Sequence, residues 1–133
     1  MRTFSQRVNL GEFPMISDLK LFQVYSAMAR HAAESQKVSA TNVANADAPG
    51  FKAGEIESFE AFLARTMQSG GAQSMKSDFK VGISAAPADP NGNNVSLERE
   101  VFNSAEAMGQ HNMALTVYSK SLDLLRTALG KPR

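Results

Sequence analysis

The sequence predicts an all-α fold in which a long N-terminal and a long C-terminal helix pair as a coiled coil. A short amphipathic helix follows a Pro-Gly turn, and the middle segment is flexible or extended. The C-terminal pattern is the clearest of the observations behind this reading. Leu97, Val101, Ser104, Met108, His111, Leu115, Tyr118, Leu122, Leu125 and Leu129 alternate four and three apart, and only Ser104 and His111 are not clearly apolar. A seven-residue repeat held over that length predicts a left-handed seam rather than a straight buried helix. The same rhythm runs through Met15, Leu19, Phe22, Ser26, Ala29, Ala33, Gln36, Ala40 and Val43. Small residues fill the second half of that stripe, which lets another helix approach closely. The nearest partner for each end helix is the other, antiparallel or parallel according to how the middle folds.

In chain order, residues 1–133 read as a single domain. Residues 1–14 form a mobile arm punctuated by Gly11 and Pro14. The N-terminal helix spans 15–45, and Leu21, Val24 and Met28 lay a second apolar strip beside the first. A helix so wide-faced expects neighbours on more than one side. Asn42 and Asn45 are three apart on its last turn, where their amides can bond orphaned carbonyls or groups on another molecule. Ala48-Pro49-Gly50-Phe51 then has proline second and glycine third, as a type II turn requires.

The turn and a short helix occupy 46–68. Ile56, Phe59, Phe62, Leu63 and Met67 fall at helical spacings over 55–68, with Glu55, Glu57 and Glu60 early, where the helix dipole favours them. Gly70-Gly71 ends this helix. Over 69–94 the large apolar residues are few: Met75, Phe79, Val81 and Ile83. Ordering each residue costs about 1–2 kcal/mol, so the segment is expected to be disordered or loosely extended. Phe79-Lys80-Val81-Gly82-Ile83 alternates as a strand offered to a partner would. Ser96 can cap the last helix, 95–130, whose first turn holds Glu98 and Glu100 and whose end is marked by Gly130 and Pro132.

Composition excludes several function classes. Fourteen basic residues against 13 acidic ones leave a net charge of +1, with no electrostatic pull toward nucleic acid or an anionic membrane. The absence of cysteine excludes disulfides, thiol catalysis and zinc–thiolate sites. His31 and His111 lie on separate helices with no acidic cluster at ligand spacing, and His31 reads as solvent-facing. Gly70-Gly71 precedes no phosphate-cradling motif. The chain therefore reads as a non-enzyme without metal, cofactor or small-molecule substrate. No apolar run reaches membrane-span length, and the start lacks the apolar core of a secretory signal. The expectation is a cytosolic protein, or one exported without a cleaved peptide.

Two blocks carry a family resemblance. Ala40-Thr41-Asn42-Val43-Ala44-Asn45-Ala46-Asp47-Ala48-Pro49-Gly50-Phe51-Lys52 resembles the N-terminal signature of bacterial flagellar rod and hook proteins, Ala-x-Asn-Ile-Ala-Asn-x-x-Thr-Pro-Gly-Tyr-Lys. Val43 and Phe51 keep the size and apolarity of the family's isoleucine and tyrosine, while Ala48 lacks the threonine hydroxyl. Asn91-Gly92-Asn93-Asn94-Val95-Ser96-Leu97-Glu98-Arg99-Glu100 is similar to the Asp-Gly-Asn-x-Val-Asp-x-x-x-Glu run of the proximal-rod branch, the rod protein B family. Ser96 stands where that family has aspartate.

The resemblance implies a structural subunit of the flagellar basal body, self-associating in the assembled rod and transmitting torque across the periplasm for motility. The partners it implies are other rod proteins, the membrane-ring protein with its rod adaptor, and the type III export gate. Phe4 and Val8 have the Phe-x-x-x-apolar form of an export signal. Without the resemblance, two heptad helices around a flexible middle suit a cytosolic coiled-coil adaptor or an export chaperone.

Overall fold

The computed structural model describes residues 14–130. The expected mobile arm and the export-signal residues Phe4 and Val8 lie outside them. Helix α1 spans Pro14–Ala44, strand β1 Gly54–Ile56, helix α2 Phe59–Gln68 and strand β2 Val81–Ile83; helix α3 spans Leu97–Ala128. A 3-10 helix, Gly71–Lys76, lies between α2 and β2.

The two long helices pack against each other and are antiparallel. Contacts that move down α1 move up α3: Ser39 meets Glu100 at 2.8 Å, Gln36 meets Ser104 at 3.0 Å, and the Phe22 and Tyr118 rings lie 4.9 Å apart. The face that α3 buries is not the expected apolar stripe. It is Glu100, Ala107, Ala114 and Ser121, seven residues apart. On α1 the buried counterparts are Ala32, Ser39 and Asn42.

The expected seam is therefore corrected. Leu19, Ala33, Ala40 and Val43 of α1 are exposed, as are Leu97, Val101, Met108, Leu115 and Tyr118 of α3 and Leu129 at its C-cap; Phe22, Ala29, Leu122 and Leu125 are half-buried. Two effects favour the small face. Alanine and serine bring helix axes close, and the carboxylate, hydroxyl and amide on that face satisfy one another, which a leucine seam could not do for them.

The middle corrects the expectation twice. A two-stranded antiparallel sheet pairs Gly54 with Ile83 and Ile56 with Val81, so the fold is mostly helical but not all-α. Residues 69–94 are folded: Met75, Asn93 and Asn94 are buried, and Phe79 packs on the core. Few apolar residues suffice because Phe79 enters an aromatic cluster with His31 and Phe62, at centroid distances of 5.1 and 4.6 Å. The short helix starts at Phe59 instead of 55, because Ser58 caps it through Ala61 N–H and residues 54–56 are taken by the sheet.

The core proper is Ala27, Phe59 and Phe62, with Val24, Met28, Leu63 and Phe79 against it. Glu57 ties this layer together. Its carboxylate accepts from Arg65 Nη2 at 2.5 Å and from the Lys80 N–H at 2.9 Å. Burial works against its charge, but the bonds from Arg65 and Lys80 outweigh burial and hold its pKa below the ordinary 4.5.

Truncating Phe62, which is 0% exposed, to alanine is expected to cost about 3–5 kcal/mol, read by urea unfolding. The lowered Glu57 pKa gives stability that is complete above pH 4.5 and lost as pH falls through the folded-state value. Glu57→Gln should therefore be less stable than wild type at pH 7, and the gap should close in acid. A gap that is constant with pH would remove the ion pair from the account.

Candidate functional site

The two sequence blocks, some forty residues apart, meet in space around Asn42. Asn42 sits on the last turn of α1 and is 1% exposed. Its Oδ1 accepts from Gly54 N–H at 2.8 Å, and its Nδ2 donates to Gly54 C=O at 3.0 Å and to Glu100 Oε2 at 3.0 Å. One amide thus pairs with β1 as a strand backbone would and grips α3 at the same time. Glu100, 3% exposed, accepts from Ser39 Oγ on its other oxygen. The fit around Gly54 is close, since a Cβ there would stand 3.4 Å from Val38 Cγ1, at the near edge of ordinary contact.

The turn is the expected one. Phe51 N–H donates to Ala48 C=O at 3.2 Å, and Gly50 has φ +76°. The second block closes over it. Gly50 N–H donates to Asn91 C=O at 2.9 Å, Asn94 N–H to Phe51 C=O at 3.2 Å, and Lys52 Nζ to Gly92 C=O. Asn93 Nδ2 donates to the Asn45 and Ala48 carbonyls at 3.0 and 2.7 Å. Asn94 Oδ1 accepts from Ala53 N–H at 2.7 Å while its Nδ2 holds the Ser84 and Ala86 carbonyls. The two blocks form a single hydrogen-bonded node that sets where α1, the sheet and α3 lie.

Of the motif residues, Asn42 is buried; Asn45 and Phe51 are half-buried; Val43, Ala44, Pro49, Gly50 and Lys52 are exposed. Asn45 caps the helix as expected, its Nδ2 donating to Thr41 C=O at 2.8 Å, whereas Asn42 turns inward. His31 overturns its expectation: it is buried, with Nε2 2.7 Å from Glu57 C=O and Nδ1 3.3 Å from Gln110 Nε2. A carbonyl only accepts, so Nε2 carries the proton there and Nδ1 accepts from Gln110. Sequence reading missed Ser39, Gly54, Asn93 and Asn94 as anchors.

A groove of about 680 Å³ lies between α1, β1 and α3, floored by Met28, Ile56 and Ala107 and rimmed by Glu55, Glu60 and Glu106. Among the described residues, no three His, Cys, Asp or Glu side chains converge as metal ligands, and no helix is long and apolar enough to cross a membrane. The node spends its polar atoms on internal bonds. What it offers outward is a fixed frame carrying uncovered apolar stripes, among them Val101, 69% exposed.

Compared with known proteins, the chain matches no family model and no curated protein.

Asn42→Ala removes both bonds to Gly54 and one of the two to Glu100, which keeps Ser39, and should cost about 2–3 kcal/mol in chemical unfolding. At Gly50 a Cβ meets nothing within 4 Å, so only the positive φ resists substitution. At Gly92, φ is +89° and a Cβ would also stand 3.1 Å from Gly50 Cα. Gly92→Ala should therefore destabilise more than Gly50→Ala, which should cost about 1–2 kcal/mol. Equal losses would show that the close approach of the two glycines carries no weight.

Proposed function

We propose that this chain is a structural subunit of the bacterial flagellar basal-body rod, in its proximal part and of the rod protein B kind. The observation that carries the reading is the convergence of its two family-like blocks on one node, Asn42 through Glu100, while most large residues of the apolar stripes on both long helices stay exposed. A protein whose small residues fill its own helix seam, and whose large ones face outward, is built to finish burying surface on neighbours.

In this reading the stripes on α1 and α3 form coiled-coil seams with helices of adjacent subunits. Burying each large stripe residue contributes about 1.5–3 kcal/mol, which is enough to drive helical stacking. The node keeps the stripes at a fixed angle, as transmission of torque requires. Partners are further copies and other rod proteins, the membrane-ring protein with its adaptor, and the type III export gate. Export precedes assembly and removes no signal peptide, and the lack of cysteine suits a periplasmic destination. The role is structural, with no enzymatic step, cofactor, nucleic acid or small-molecule substrate.

An in-frame deletion in the source organism is expected to abolish swimming in soft agar and to leave basal bodies with no rod beyond the membrane ring, both restored by the plasmid-borne chain. Intact rods and normal swimming would overturn the reading in favour of a cytosolic coiled-coil adaptor or an export chaperone.

A further inference from the structure

The uncovered face of α3 is complementary to itself in one direction only. We infer that two copies of this chain pair through α3 as an antiparallel, twofold-symmetric coil, the form the free protein takes. This goes beyond the rod reading and is tested without it.

The geometry starts from which sides of α3 are taken. Glu100, Ala107, Ala114 and Ser121 face α1, and Asn103, Glu106 and Gln110 line the groove beside β1. Around the helix this leaves the side of Val101, Met108, Leu115 and Leu129 open, and all four are exposed. That row lies about 100° from the α1 seam, the displacement of neighbouring residues on a helix of 3.6 residues per turn, while the companion row of Ser104, His111, Tyr118 and Leu125 lies about 40° from it and shares Tyr118 with Phe22 of α1. A second helix can therefore lie beside α1, against the open row and the part of Tyr118 that Phe22 leaves exposed.

The four–three stripe selects the occupant. Turned end for end, it meets itself position for position: Leu97 opposite Leu129, Val101 opposite Leu125, Met108 opposite Tyr118, His111 opposite Leu115. Antiparallel coils require such pairing between the two kinds of seam position. The flanking row away from α1 reads Glu98, Ala105, Asn112, Ser119 and Arg126. In the same register Glu98 of one copy faces Arg126 of the other, twice by symmetry, and Asn112 faces its own copy across the axis. Among the described residues Arg126 pairs with Asp123 alone, at 3.3 Å and in the open, a contact weak enough to exchange for another carboxylate. A parallel pair would instead set this row against the partner's Glu100, Ala107, Ala114 and Ser121, which α1 already covers. A strip about 48 Å long and about 10 Å wide gives on the order of 1,000 Å² over both copies, the lower bound for a specific interface. The pairing is thus reversible and leaves the stripe recoverable for other partners.

The chain has no cysteine, so single thiols report on register cleanly. Purified full-length Asn112→Cys, treated with a short bis-maleimide, should give a covalent dimer, and Leu97→Cys should not, because antiparallel copies place the two Leu97 positions a helix length apart. In sedimentation at low salt, Glu98→Arg and Arg126→Glu should each weaken wild-type dimerisation about tenfold or more with helicity unchanged by circular dichroism. The double swap should restore it. A monomer at about 100 µM, efficient cross-linking through Leu97→Cys, or no rescue by the double swap would each overturn the antiparallel pair.

Discussion

The rest of the fold depends on one side-chain amide. Asn42 occupies the last turn of α1, and its three hydrogen bonds go to β1 and α3, so three elements share a single reference point. Burying an amide and a carboxylate is unfavourable unless each finds partners, and here they find each other. Glu100 accepts from Ser39 and Asn42, both neutral donors. The geometry is therefore demanding: a shift of α3 along α1 by one residue would break both bonds at once. A leucine seam would tolerate such a slip, since apolar contacts are non-directional.

That difference explains the distribution of surface. Most of the apolar stripe of α3 is left open, and apart from Phe22 on Tyr118 the helices meet mainly through alanine, serine, asparagine and glutamate. Directional bonds fix register within the subunit, while non-directional apolar area is kept for contacts whose partners arrive later. The aromatic layer of His31, Phe59, Phe62 and Phe79 anchors the other side of α1, so that the node is braced from two directions.

The middle of the chain shows how little apolar surface a segment needs when its backbone is provided for. Asn93 and Asn94 together hold the carbonyls of Asn45, Ala48, Ser84 and Ala86. Glu57 and Arg65 secure the approach to β2, with Arg65 Nη2 also reaching Asp78 C=O at 3.3 Å. Each polar side chain there satisfies a backbone group that would otherwise need water, and Phe79 supplies the apolar anchor.

The sequence by itself determined the two long helices, to within about a residue or two at their ends, because their periodicity and caps are local properties. It determined the type II turn, since Pro49 and Gly50 restrict φ wherever they stand, and it marked both blocks that form the node. Tertiary structure alone decided which face each helix buries. An apolar stripe states that a face prefers to leave water but not which partner takes it there, and Glu100, Ala107, Ala114 and Ser121 won the intramolecular contact through close approach and hydrogen bonding. It also decided that Asn42 points inward and Asn45 outward, although both lie on one turn, and that Val81–Ile83 pairs with Gly54–Ile56. Those outcomes rest on contacts between residues far apart in the chain, and no local pattern encodes them.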